Sequence, residues 1–255
     1  MTYPIKIGRF KRGEEVFYGY LLGEEVVCID GTSKERMFLR DIKILAPCIP
    51  TKIIGVGLNY RDHAEELKMA LPQEPLIFLK PPTAVIGPEE SIVLPPESKE
   101  VHYEGELAVV IGQKLYRPYT YDEVEKAILG YTCFNDVTAR DLQRRDIQWT
   151  RSKSFNTFAP IGPFIVKGID PQNLRIETRL NGKIVQSSHT KQMIFKPIEL
   201  IFYISQIMTL LPGDVIATGT PSGVGPLKAG DVVEVEIEHI GVLRNSVESL
   251  EGERL

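Results

Sequence analysis

The stretch His102-Tyr103-Glu104-Gly105-Glu106-Leu107-Ala108-Val109-Val110-Ile111-Gly112 decides how this chain is read. Its second half, Leu-Ala-Val-Val-Ile, is the apolar run of a buried strand. Its first half carries two glutamates at i and i+2. Strand side chains alternate between faces, so Glu104 and Glu106 point the same way. Gly105 between them leaves the opposite face open to close packing. Two carboxylates at the mouth of a buried strand repel each other unless a cation or a proton lies between them. A second strand-like run, Gly130-Tyr131-Thr132-Cys133-Phe134-Asn135-Asp136, ends on a third carboxylate. Three carboxylates with no nearby thiol make a hard, all-oxygen donor set, suited to magnesium, manganese or calcium rather than zinc. The ordinary alternative is a solvated Glu-x-Glu face and an aspartate that only forms a turn.

Composition narrows the function classes. The 255 residues are 43% hydrophobic and 25% charged, as expected of a globular chain with a core. A net charge of -4 leaves no electrostatic footprint for nucleic acid or an anionic membrane. Cys28, Cys48 and Cys133 are odd in number and far apart, so neither a disulfide framework nor a zinc site is indicated. Met1–Lys6 lacks the apolar centre of a signal peptide, and Ile198–Leu211 is too short to span a bilayer. The expectation is a cytoplasmic protein with no membrane partner.

Around the central stretch, residues 1–48 read as short strands (Ile5–Ile7, Val16–Leu22, Val26–Ile29) parted by turns at Gly13 and Gly23. This is a small N-terminal β domain that must lean on the rest, residues 49–255. Leu45–Pro50 reads as the linker. Ile53–Leu58 is a buried strand, and the Asp62/Glu65 spacing predicts a helix starting at Asp62. His63 and Glu66 then share a face, where the carboxylate fixes the imidazole tautomer and raises its basicity. Leu76–Leu79 is a strand ending on Lys80. Thr120–Leu129 reads as a capped helix stopped by Gly130, and a further helix follows Asp136 with Arg140 and Gln143 near the site. Trp149–Phe155 reads as a polar, basic loop. Asn181-Gly182 marks a tight hairpin. Lys196-Pro197 opens a core helix carrying Ile198, Ile201, Phe202, Ser205, Met208 and Leu211. Thr218–Gly225 is a loop able to present N–H groups to an anion, without the lysine of a phosphate loop. Glu234, Glu236 and Glu238 alternate with Val233, Val235 and Ile237 and read as a solvated face. Strands outnumber helices without regular alternation, which predicts a β-rich α+β fold rather than a doubly wound sheet.

Taken together, Gly57-x-Asn59-Tyr60-x-x-His63, Phe78-x-Lys80-Pro81, His102-Tyr103-Glu104-x-Glu106-Leu107, Asn135-Asp136-x-Thr138-Ala139-Arg140-Asp141, Lys153-Ser154-Phe155 and Thr218-Gly219-Thr220-Pro221-x-Gly223-Val224-Gly225 resemble the fumarylacetoacetate hydrolase family. The pieces occur in family order across roughly residues 50 to 250, far more specific than any single motif. The resemblance implies a mixed β-roll, a homodimer, and a divalent metal (magnesium, or manganese or calcium) held by Glu104, Glu106 and Asp136. It implies catalytic roles for His63 and Glu66 on a lid and for Lys153, and substrate contacts from Arg140, Gln143, Thr220, Tyr60 and Lys80.

The family acts on 2-oxo acids through an enolate. For this chain the resemblance implies C–C hydrolysis of an acylpyruvate or decarboxylation of an oxaloacetate-like substrate. An alternative within the family is a 2-hydroxyhepta-2,4-diene-1,7-dioate isomerase/decarboxylase of aromatic catabolism. Of other classes, a non-catalytic 2-oxo-acid binder is one. A glycosidase built on Glu104 and Glu106 is disfavoured, since such pairs flank the scissile bond from opposite sides and these two project from one strand.

Overall fold

A computed structural model describes residues 4–29 and 35–250. Residues 1–3, where the Met1–Lys6 segment begins, 30–34 within the N-terminal unit, and 251–255 at the end of the chain lie outside the described residues. The fold is a β-rich α+β roll built on three sheets, two of mixed strand direction and a small antiparallel one.

The largest sheet contains twelve strands. Its centre is the Gly105–Ile111 strand, buried at every position. It pairs antiparallel with Ile128–Asn135 on one side and Val215–Ala217 on the other. Alternation along it does two jobs. Ala108 and Val110 pack with Phe134, Ile161 and Val215 on one face. On the other, Leu107 meets Ile176 and Val235 of the five-stranded sheet, while Val109 and Ile111 sit under two helices. Glu104 and Glu106 share parity with Ala108, so both carboxylates face away from the five-stranded sheet. Gly105 faces toward it, and a Cβ there would stand 2.2 Å from Thr178 Oγ1. The close packing that the glycine suggested is therefore real, and Thr178 and Gln186 supply it.

The helices are short. They are α1 (Arg61–Leu67), α2 (Tyr121–Ala127), α3 (Arg140–Arg145), α4 (Thr150–Lys153) and α5 (Pro197–Ile207). In α5, Leu200, Ile201 and Ile204 are wholly buried against the sheet; each such side chain contributes roughly 1.5–3 kcal/mol relative to exposure. This helix ends at Ile207, before Met208 and Leu211. Among the described residues, no helix is long and apolar enough to cross a membrane.

Other local readings also shift. α1 begins at Arg61, one residue before the expected start, because the Asp62 carboxylate bonds its neighbour His63 N–H (2.8 Å) and Ser188 Oγ rather than capping. α2 is capped as expected, with Thr120 Oγ1 accepting from Glu123 N–H (3.3 Å). However, Gly130 does not end it: the chain is already extended at Ile128, and Gly130 lies inside the next strand, pressed against the Val166 backbone. Asn181-Gly182 forms the expected tight hairpin, with φ of 52° and 76°. Val233, Val235 and Ile237 are buried, while Glu236 and Glu234 on the other face are half-buried and pair with Arg179 and Arg244.

The N-terminal strands extend the main sheet. Ile5–Arg12 pairs antiparallel with Ala159–Lys167, and Phe10, Phe17 and Val26 join the cluster of Leu107, Ile176 and Val235.

Candidate metal and substrate site

Glu104, Glu106 and Asp136 converge, each offering an oxygen within 4.8 Å of the others, and all three are buried. The backbone forces this. Glu104 lies just before the central strand, Glu106 is the second residue within it, and Asp136 directly follows the neighbouring strand. Asp136 N–H donates to Glu104 C=O (2.8 Å), and Glu104 N–H donates to Asn135 Oδ1 (2.9 Å), which pins the two strand ends together.

Three cations surround part of the cluster. Lys153 Nζ donates to Glu104 Oε2 (3.0 Å) and Asp136 Oδ2 (2.5 Å). Arg140 donates to the other oxygen of Glu104, and Lys80 to the other oxygen of Asp136 and to Val137 C=O (3.1 Å). Glu106 has no cation at contact distance among the described residues. Among those residues its carboxylate accepts one hydrogen bond, from Gly219 N–H (2.8 Å). The protonation tendencies diverge accordingly. Burial would raise the Glu104 carboxyl, but Lys153 and Arg140 outweigh it and push it down to about 2. Burial, then the charges of Asp136 and Glu104, push Glu106 well above the usual carboxylate range. Lys153 is held above the ordinary lysine value by Asp136 and Glu104 despite its burial, whereas burial wins at Lys80 and lowers it.

The donor set fits a hard divalent cation. Three buried carboxylate groups meet at one point, and one of them lacks a countercharge.

This cluster floors a cavity of about 320 Å³. Arg140, Gln143, Arg144, Lys153 and Thr220 line its polar side, and Leu67, Met69, Leu76, Phe78 and Trp149 its apolar side. His63 also lines it, and its Nδ1 lies 2.9 Å from Glu66 Oε2. Glu66 is itself fixed by Gly223 N–H (3.2 and 3.3 Å). The Thr218–Gly225 loop thus presents N–H groups to anions, as expected, and the anions are the chain's own Glu106 and Glu66.

Two residues expected to touch substrate lie behind the wall. Lys80 is 1% exposed and is consumed by Asp136 and Val137. Tyr60 is wholly buried, and its hydroxyl has no hydrogen-bond partner among the described residues. The basic stretch from Trp149 to Phe155, read as a loop, is partly helical. It contains α4, which carries Lys153 inward to 2% exposure, where pairing with Glu104 and Asp136 makes a buried ammonium favourable. Arg144, Trp149 and the apolar wall were not singled out from sequence. Arg144 stands one helical turn after Arg140, a spacing that could have flagged it.

The profile of the family described as fumarylacetoacetate hydrolase, C-terminal, matches residues 52–248. This chain belongs to the fumarylacetoacetate hydrolase family. It is 48% identical to the mitochondrial oxaloacetate tautomerase of Rattus norvegicus, over 81% of this chain and 69% of that one. The crystal structure of a 5-carboxymethyl-2-hydroxymuconate delta-isomerase from Mycobacterium smegmatis is 42% identical and superposes with a TM-score of 0.90, over 97% and 100% of the two chains. A maleylpyruvate hydrolase from Sphingobium sp., solved with manganese(II) and pyruvate, is 27% identical with a TM-score of 0.80, over 96% and 99%.

Proposed function

We propose that this family member is a divalent-cation-dependent enzyme that moves a proton on a 2-oxo dicarboxylic acid, interconverting its tautomers or double-bond isomers. One observation carries the reading. A single cavity holds both the Glu104/Glu106/Asp136 cluster and the His63–Glu66 pair. Magnesium or manganese held by those carboxylates would supply Lewis acidity toward a 2-oxo acid.

The chain's own residues do the rest. Lys153 and Arg140 place two cations beside the carboxylate cluster, where negative charge on the substrate would collect. Thr220 and Gln143 add donors on the same wall. Glu66 accepts from His63 Nδ1–H, which leaves Nε2 to take a proton from the substrate carbon and return it elsewhere. Relatives at 42 and 48% identity carry isomerase and tautomerase activities, and these need no attacking water.

The second reading, C–C hydrolysis or decarboxylation, uses the same machinery with His63 activating water. The maleylpyruvate hydrolase likeness supports it at lower identity. A homodimer is part of either reading, and sedimentation equilibrium tests it.

The deciding experiment is a panel of oxaloacetate enol, a hydroxymuconate-type dienoate and an acylpyruvate, each assayed with added manganese. Loss of enol or dienoate absorbance faster than C–C cleavage is expected. His63→Ala should lower that turnover by roughly 10²–10⁴-fold and leave manganese affinity almost unchanged. Turnover that survives complete chelation would sink the metal-dependent reading. Binding of all three compounds without turnover would leave only a 2-oxo-acid binder.

A further inference from the structure

We infer that Gln186 is a positioning residue for this site, joining the strand that carries the two glutamates to the Thr218–Gly225 loop. The inference rests on the metal reading above and extends it to a side chain outside the cavity.

Gln186 lies in the Lys183–His189 strand, is 1% exposed, and is absent from the cavity lining. Its Oε1 accepts from Gly105 N–H (3.0 Å) and Thr178 Oγ1–H (2.7 Å). Its Nε2 donates to Thr220 Oγ1 and Pro221 C=O, both at 2.9 Å. The Thr220 hydroxyl then donates to Gly105 C=O (3.0 Å). A closed ring of hydrogen bonds therefore leaves Gly105 through its N–H and returns through its C=O. Gly105 is the residue between Glu104 and Glu106.

The ring fills a gap in the sheet. On this side of the central strand, the backbone contact of the neighbouring segment ends with Thr218 N–H to Leu107 C=O (3.0 Å). Beyond it, side chains of Gln186 and Thr220 replace a strand. Only an amide suits the position, with an acceptor toward Gly105 and Thr178 and a donor toward Thr220 and Pro221. A carboxylate would set an acceptor against the Pro221 carbonyl, and a thioether would leave buried groups on both sides unpaired.

The loop held in this way also carries Gly219 N–H, which bonds Glu106, and Gly223 N–H, which bonds Glu66. Moving the loop relative to Gly105 would disturb one metal carboxylate and the histidine's partner together. If Gln186 were purely structural, its loss would lower thermal stability and nothing else.

The test compares wild type, Gln186→Glu and Gln186→Met by manganese titration calorimetry and by thermal unfolding without metal. Both variants should bind manganese roughly 10–100-fold more weakly, the usual effect of losing a group that orients a ligand. Wild-type affinity in either folded variant, at any melting temperature, overturns the inference. Should neither variant fold, amide exchange on the wild type decides. Manganese should slow the Gly105 amide and the 219–223 amides in step, and protection of Gly105 without the loop overturns the proposal. Failure of the wild type to bind manganese would instead remove the metal reading itself.

Discussion

Asp214 and Glu106 are both buried carboxylates beside the same sheet, and the chain treats them in opposite ways. Asp214 is wholly buried and fully served. It accepts from Thr51 Oγ1–H (2.6 Å), from the N–H groups of Thr51, Lys52 and Leu211, and from the Lys52 ammonium. Burial would raise its carboxyl, but the Lys52 and Thr51 contacts outweigh that and hold it below the usual range. Glu106 is equally buried, receives one N–H, and faces two other negative charges. A carboxylate whose donors all come from the protein holds structure together. One left short of donors inside a cavity is waiting for something from outside.

The largest effect should follow Glu106→Gln. Manganese at about 1,000 times its dissociation constant should stabilise the wild type by about 4.1 kcal/mol and the variant by none, read as the metal-induced rise in melting temperature. Without metal the variant should be at least as stable as wild type, because the amide removes a repulsion with Glu104 and Asp136. A variant that is less stable without metal would show that Glu106 is structural, and the contrast with Asp214 would fail.

Asp214→Asn should do the reverse. Breaking a buried, hydrogen-bonded ion pair costs about 3 kcal/mol here, the low end because Lys52 keeps 22% exposure. Chemical denaturation checks it, and the manganese-induced stabilisation should remain intact. The pH dependence sharpens the point. A carboxyl held low in the folded state stabilises above its unfolded pKa of about 3.9 and loses that contribution as pH falls through the folded value. From about pH 4 downward, wild type should lose stability more steeply than Asp214→Asn. Lys52→Met should have the smallest effect, about 1–2 kcal/mol, since Asp214 keeps its hydroxyl and three N–H donors. A loss as large as that of Asp214→Asn would mean that the ion pair, rather than the hydrogen bonds, holds Asp214.

Legibility in the sequence followed the range of the physics involved. Glu104, Glu106 and the hairpin at Asn181 were readable because strand alternation and turn chemistry act within a few residues. Asp136 was readable as a strand end, and its meeting with the glutamates follows from adjacent pairing. Lys153 was placed at the site by the resemblance alone; local sequence showed only a polar, basic loop, and its burial depends on carboxylates assembled from distant strands. Tyr60 and Lys80 sit in family motifs, yet motif position carries no information about which side of a cavity wall a side chain occupies. Gln186 left no trace at all, since its partners Gly105 and Thr220 are 81 and 34 residues away.

Those separations also govern how the chain reaches its native state. The first strand pairs at once with Glu15–Leu22 but joins the body of the sheet only through Ala159–Lys167, and Glu106 receives its N–H from Gly219, 113 positions later. Nascent chain emerging from a ribosome would expose the apolar Leu107–Ile111 segment well before the strand that covers its edge, Val215–Ala217, is made. High contact order slows folding, because loop closure must precede the contacts that reward it. During synthesis, then, the Leu107–Ile111 segment stays open along one edge until Val215–Ala217 is made, and a chaperone could shelter it in the interval.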